Sequence, residues 1–239
     1  MLKEALSYLV DLGQSKDPLH KIGDQTYSER QLTRIPPHVD RPSEITINGL
    51  ESAVKLIKTE IDRLNTTLFV QVASQSCVGI YTTYEADFTR NRLYAVQSDV
   101  PQFKYGFRPQ ENALIELRSQ FIENDGTAYL LDLLSRISDE QSVKSNDNGM
   151  TQTVETKQGI YLKAVENVKP RVKLRPYRTF LEVEQPESEF LVRLDKDGNI
   201  GFFEADGGMW KMTAKKSIKG YFEFELANLI QAGHVVVMM

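Results

Sequence analysis

Apolar residues change their period several times along the chain, and each change marks an element. Leu2, Leu6, Leu9 and Val10 recur at helical spacing before Gly13, which predicts a short amphipathic helix over residues 2–12. From 14 to 42 the pattern dissolves among polar residues and Pro18, Pro36, Pro37 and Pro42. Proline fixes its own φ and lacks an N–H, so this stretch reads as an ordered arm or loop. Leu50, Val54, Ile57, Ile61 and Leu64 then return every three or four residues, predicting a helix over 50–64 with Asn48 or Ser52 as its cap.

Beyond residue 64 the period falls to two. Residues 68–72, 77–83 and 93–96 read as successive strands, with Ser74-Gln75-Ser76 short enough for a hairpin turn. The stretch 103–109 is aromatic and bounded by proline. Residues 114–121 alternate, placing Ile115, Leu117, Ser119 and Phe121 on one side of a strand. A helix over 127–137 follows, with Leu130, Leu131, Leu134 and Ile137 as its buried stripe. Further strands are predicted at 154–162, 172–174, 180–183, 190–194 and 200–203, and a last helix at 216–229. Asn148-Gly149 and Asp197-Gly198-Asn199 are turn signals, because asparagine and glycine tolerate positive φ. The β-branched run at 234–239 would aggregate if left open, so it should be paired in a sheet or in a subunit contact.

About ten strands and four helices, with few strand–helix–strand alternations, predict an α+β fold built on antiparallel-rich sheet. The 239 residues read as a single domain, or as two lobes of about 1–138 and 149–239 joined near the polar stretch 139–148. A chain of this length buries roughly 70% of its unfolded surface and needs no disulfide or metal staple. Cys77, the lone cysteine, sits in an apolar run and reads as a buried, inert thiol. No apolar stretch approaches the ~20 residues of a membrane span, and no signal-peptide core opens the chain, which points to a cytoplasmic protein with no membrane partner.

A net charge of −4 argues against a general nucleic-acid coat and leaves room for a local basic patch. His20, His38 and His234 are too dispersed for a zinc site, and His38, beside Pro36 and Pro37, reads as a surface or capping residue. There is no nucleophile elbow, P-loop or dinucleotide fingerprint, so no cofactor is implied. Asp195-Lys196-Asp197-Gly198-Asn199 lacks the spacing of a calcium loop and reads as a hairpin turn. Glu204 and Asp206, beside Gly207 and Gly208, are weak candidates for acid–base work or magnesium binding; the alternative is a turn ending at Trp210, the only tryptophan.

The segment 169–178 is the most unusual. If it is extended, Arg171, Lys173 and Arg175 project from one face about 7 Å apart, while Val172 and Leu174 face the core. With Arg178 they can grip phosphates, and Tyr177 can stack on a base. Alternatively, the cations pair with the acidic row Glu182, Glu184, Glu187 and Glu189.

Two blocks carry a family likeness: Pro176-Tyr177-Arg178-Thr179-Phe180-Leu181-Glu182-Val183-Glu184-Gln185-Pro186, and Phe203-Glu204-Ala205-Asp206-Gly207-Gly208-Met209-Trp210. They resemble a family of uncharacterised tailed-phage and prophage proteins, and are distantly similar to the YfdQ-like prophage group. The resemblance implies a phage-encoded protein in a bacterial host cytoplasm and transfers no catalytic residue. Three functional readings follow. The first is a non-enzymatic, homo-oligomeric accessory protein that binds a host or phage protein or a small ligand. The second is a nucleotide or nucleic-acid binder using Arg171, Lys173, Arg175, Tyr177 and Arg178. The third is a metal-dependent phosphoesterase-like enzyme using Glu204 and Asp206.

Overall fold

A computed structural model describes residues 2–13, 19–28, 34–35, 38, 40–64, 66–138, 142–147, 152–158, 161–195 and 198–239. The first elements are α1 (Leu2–Gly13), β1 (Leu19–Ile22), β2 (Gln25–Ser28), β3 (Arg34–Ile35), β4 (Ile45–Asn48) and α2 (Leu50–Leu64). Then come β5 (Leu68–Ser74), β6 (Cys77–Tyr81), β7 (Arg92–Gln97), β8 (Gly106–Arg108), α3 (Gln110–Ser119), β9 (Phe121–Ile122) and α4 (Asp125–Ser138). The strands β10 (Ser142–Asp147), β11 (Gln152–Gln158), β12 (Tyr161–Val168), β13 (Arg171–Pro176), β14 (Ser188–Leu194) and β15 (Ile200–Glu204) follow. The last elements are α5 (Met209–Glu225), α6 (Ala227–Gln231) and β16 (Val235–Met238).

One five-stranded sheet has the order β16-β5-β6-β7-β4 and a second the order β8-β15-β14-β13-β9, while β1–β3 and β10–β12 each make a three-stranded sheet. Among the described pairings only β16 with β5 and β4 with β7 are parallel. The fold is therefore α+β and antiparallel-rich. Both five-stranded sheets draw strands from either side of residues 139–148, because β16 joins β5 and the β13–β15 strands join β8 and β9. Within that stretch Ser142–Asp147 is strand. No helix among the described residues is long and apolar enough to cross a membrane.

Each five-stranded sheet buries its own core. In the first, Leu68, Val70 and Val72 of β5 and Val78 and Ile80 of β6 lie under a stripe of α2 formed by Leu50, Val54, Ile57 and Ile61. Ile218 and Phe222 of α5 complete that core. In the second, Val172, Leu174, Phe190, Val192 and Phe202 pack against Ala113 and Leu117 of α3 and Leu130, Leu133 and Leu134 of α4. The C-terminal run is paired in the first sheet, where β16 forms an edge.

Several expected elements differ. Residues 114–121 form the end of α3 and the start of β9 rather than one strand: Ala113 and Leu117, four apart, are buried while Ile115 is exposed. Helical spacing thus overrides the alternation. Residues 180–183 form a turn, because Phe180 leaves the second sheet for the core of the first. The arm over 14–42 contains β1, β2 and β3. The last helix starts at Met209 and breaks at Leu226 into α5 and α6. These changes raise the helices to six and the strands to sixteen among the described residues. The Asn148-Gly149 turn, Lys196 and Asp197, and the prolines at 18, 36 and 37 lie outside the described residues. At the hairpin between β14 and β15, Gly198 has φ +81° and the Asp195 carboxylate accepts from Asn199 N at 2.8 Å.

The start of α2 is fixed from far away in sequence. Glu182 Oε1 accepts from Leu50 N at 2.6 Å and from Glu51 N at 3.4 Å. Gly49 holds φ +83°, and a Cβ there would sit 2.7 Å from the same oxygen. A carboxylate at a helix N-terminus satisfies orphan N–H groups and meets the positive end of the dipole. Glu182→Ala is therefore expected to destabilise the chain by about 1 kcal/mol in urea unfolding. Glu184→Ala, which removes only an exposed ion pair, should change it by no more than ~0.5 kcal/mol.

Candidate functional site

β13 alternates as its sequence requires. Val172 and Leu174 are buried, and Arg171, Lys173 and Arg175 share the opposite face. Each of the three faces a carboxylate: Arg171 Nη1 lies 2.8 Å from Glu189, Lys173 Nζ 3.6 Å from Glu187, and Arg175 Nη2 2.7 Å from Glu184. Glu182, the fourth acid of the row, caps α2 instead. Tyr177 is 37% exposed, and its N–H donates to Gln120 O at 2.9 Å.

Arg178 stands apart from that row. It shares its parity with Val172 and Leu174, and its side chain is turned into the protein, 3% exposed. That parity was the available signal, and grouping Arg178 with the outward cations overlooked it. Its guanidinium donates from Nη1 to Glu204 Oε1 at 2.8 Å, and from Nη2 to Pro186 O at 3.1 Å and to Ser188 Oγ. Its Cζ stands 3.9 Å from the centre of the Trp210 ring. Burial pulls the Arg178 pKa below its ordinary value, against the opposing pull of Glu204. Tyr105 donates its hydroxyl to the same Glu204 oxygen at 3.1 Å, and burial, aided by Glu204, raises the tyrosine pKa.

The backbone around Arg178 is held by one buried amide. Gln185 Oε1 accepts from Arg178 N and Thr179 N, while Nε2 donates to Phe180 O and Val183 O. Thr179 Oγ1 donates to Gln75 O at 2.5 Å, tying this corner to the β5–β6 turn.

Glu204 and Asp206 do different work. Glu204 faces Arg178 and Tyr105, whereas Asp206 accepts from Gly208 N at 2.9 Å and Trp210 N at 3.2 Å and so starts α5 seven residues before the expected position. Among the described residues no three histidine, cysteine or carboxylate side chains converge as a metal site. His38 is exposed, 3.1 Å from Asp40.

Where the two sheets meet, a cavity of about 360 Å³ opens beside Arg178, Glu204 and Trp210. The first sheet contributes Gln75, Ser76 and Cys77 from the β5–β6 hairpin and Gln97 and Ser98 from the end of β7. Cys77 is half-buried against this space rather than sealed in an apolar core. Tyr105 and Lys211 close the wall. Sequence reading missed this grouping, since its parts lie on five separate segments. Its one trace was that Arg178 lies in the block 176–186 and Glu204 and Trp210 in the block 203–210.

No family model, curated protein or solved structure matches the chain.

Removing one partner of a buried charge pair leaves the other uncompensated, at a cost of about 3–5 kcal/mol. Arg178→Ala should lower unfolding stability by that order. Arg178→Lys should recover only part of it, because an ammonium cannot reach Glu204, Pro186 O and Ser188 together as the planar fork does.

Proposed function

We propose that this chain is a non-enzymatic binding protein, phage-encoded and acting in the cytoplasm of a bacterial host, that takes a small ligand at the junction of its two sheets. The observation that carries this reading is the cavity of about 360 Å³ walled by Arg178, Glu204 and Trp210. Ligand sites are concave, of roughly 300–1,000 Å³, and combine aromatic surface with a few fixed polar groups. The phage origin rests on the two sequence blocks, which meet at this wall. We prefer this reading to nucleic-acid binding along β13, where Arg171, Lys173 and Arg175 already face carboxylates. We prefer it also to a phosphoesterase, since Glu204 is engaged by Arg178 and Tyr105 and Asp206 caps a helix.

The assembly part of the proposal rests on β16. This edge strand carries no charge and no proline, and Val236 and Met238 are exposed on it. Such an edge lacks the devices that keep strands from pairing with another chain, and antiparallel pairing of two copies across a two-fold axis is self-complementary.

Native mass spectrometry of the full chain incubated with a small-molecule extract of bacterial cells tests the ligand. A saturable mass increment that Ser98→Phe abolishes is expected, and a chain that stays bare at every loading defeats the reading. Light scattering after size exclusion at micromolar concentration tests the assembly. The native chain should elute as an oligomer and Val236→Lys as a monomer; a native monomer would remove the assembly claim.

A further inference from the structure

Two side chains of the cavity wall hold an N–H group that meets no acceptor. Arg178 and Trp210 are each 94% buried, with 6% of their surface exposed, and each keeps one N–H without an acceptor: Nε of the arginine and Nε1 of the tryptophan. A buried donor without a partner costs about 1–3 kcal/mol, so native structures seldom leave two side by side. Here the two side chains are in contact, the guanidinium lying over the indole ring.

Neighbouring groups add an imbalance of charge. Glu204 is the only carboxylate in the wall, and its Oε1 already receives Arg178 and Tyr105. Among the described residues no carboxylate pairs with Lys211, whose Nζ stands 5.9 Å from the Trp210 ring. The charged groups of the wall are thus Arg178, Lys211 and Glu204, one positive charge in excess. Amide and hydroxyl groups of Gln75, Gln97, Ser76 and Ser98 line the same space and can each donate to an oxyanion.

From this we infer that the cavity takes a small anion bearing an oxyacid group, carboxylate or phosphate. That group would lie against Arg178 and Trp210, with Lys211 neutralising its charge and the lining amides and hydroxyls donating to its oxygens. The inference rests on the binding reading above and narrows it to a ligand class. Charge-assisted hydrogen bonds from cationic nitrogens to such oxygens are shorter and about twice as strong as neutral ones. The volume suits a compact metabolite rather than a polymer, since a cavity of about 360 Å³ lies near the lower end of ligand sites.

The test uses the full chain and its sole tryptophan, Trp210, whose emission reports the wall directly. Inorganic phosphate, succinate and citrate are titrated, with the uncharged succinamide as the control. A saturable change with phosphate or with either carboxylate, and none with succinamide, is expected, and the responding arm identifies the oxyacid. Lys211→Gln, a change at an exposed position that leaves the Arg178 network in place, should weaken that response about tenfold or more. Rising salt should weaken it too. An equal response to succinamide, or no loss in Lys211→Gln, overturns the anion and leaves ligand binding standing. Silence with all three anions at millimolar concentration also overturns it. If the mass spectrometric increment is absent as well, the binding reading falls with it.

Discussion

A guanidinium taken out of water is the constraint around which this molecule is arranged. Desolvating such an ion costs several kcal/mol even after relaxation, and only close, well-aimed acceptors offset it. Arg178 meets that cost with Glu204, Pro186 O and Ser188, and with the indole face of Trp210. Those partners come from the 177–187 corner, β14, β15 and α5, so placing one side chain fixes four segments. The same corner delivers Phe180 to the core of the first sheet and Glu182 to the start of α2. Two sheets with separate cores are thereby joined through one corner, polar at Arg178 and apolar at Phe180.

Gln185 is what makes so sharp a corner tolerable. A chain leaving β13 at Pro176 cannot continue the ladder, and its backbone groups enter the interior without strand partners. One buried primary amide serves four of them, two N–H groups and two carbonyls. This use of a side chain in place of a strand explains why residues 180–183, apolar enough to suggest β structure, form a turn.

Periodicity exposed what was local and hid what was not. The α2 helix and the alternation of β13 were legible because burial there follows a single face over many residues. Leu114 to Phe121 misled because Leu117 satisfies both a period of two and a spacing of four from Ala113, and only the position of the second core decides between them. Of the predicted site, Arg171, Lys173 and Arg175 lie on the outer face and Tyr177 is exposed, while Arg178 and Glu204 reach the cavity. The inward parity of Arg178 was readable. The company it keeps was not, because Ser76, Ser98 and Lys211 are ordinary surface residues until the fold brings three chain segments together.

Stability by itself gives no reason for this wall. Replacing a buried ion pair with well-packed apolar residues is often neutral or stabilising, and two unpartnered N–H groups add a further cost. The fold shows that it can fill such space when required: Gly201 lies beneath the rings of Phe203 and Phe107, and Gly79 beneath Tyr81, with no room for even a methyl group. The seam between the sheets receives instead an arginine, a glutamate, a lysine and a run of amides and hydroxyls. Residues that cost folding energy without improving packing are expected where a site answers to something outside the chain. On the binding reading proposed above, that something is the ligand of the cavity that Arg178, Trp210 and Lys211 line.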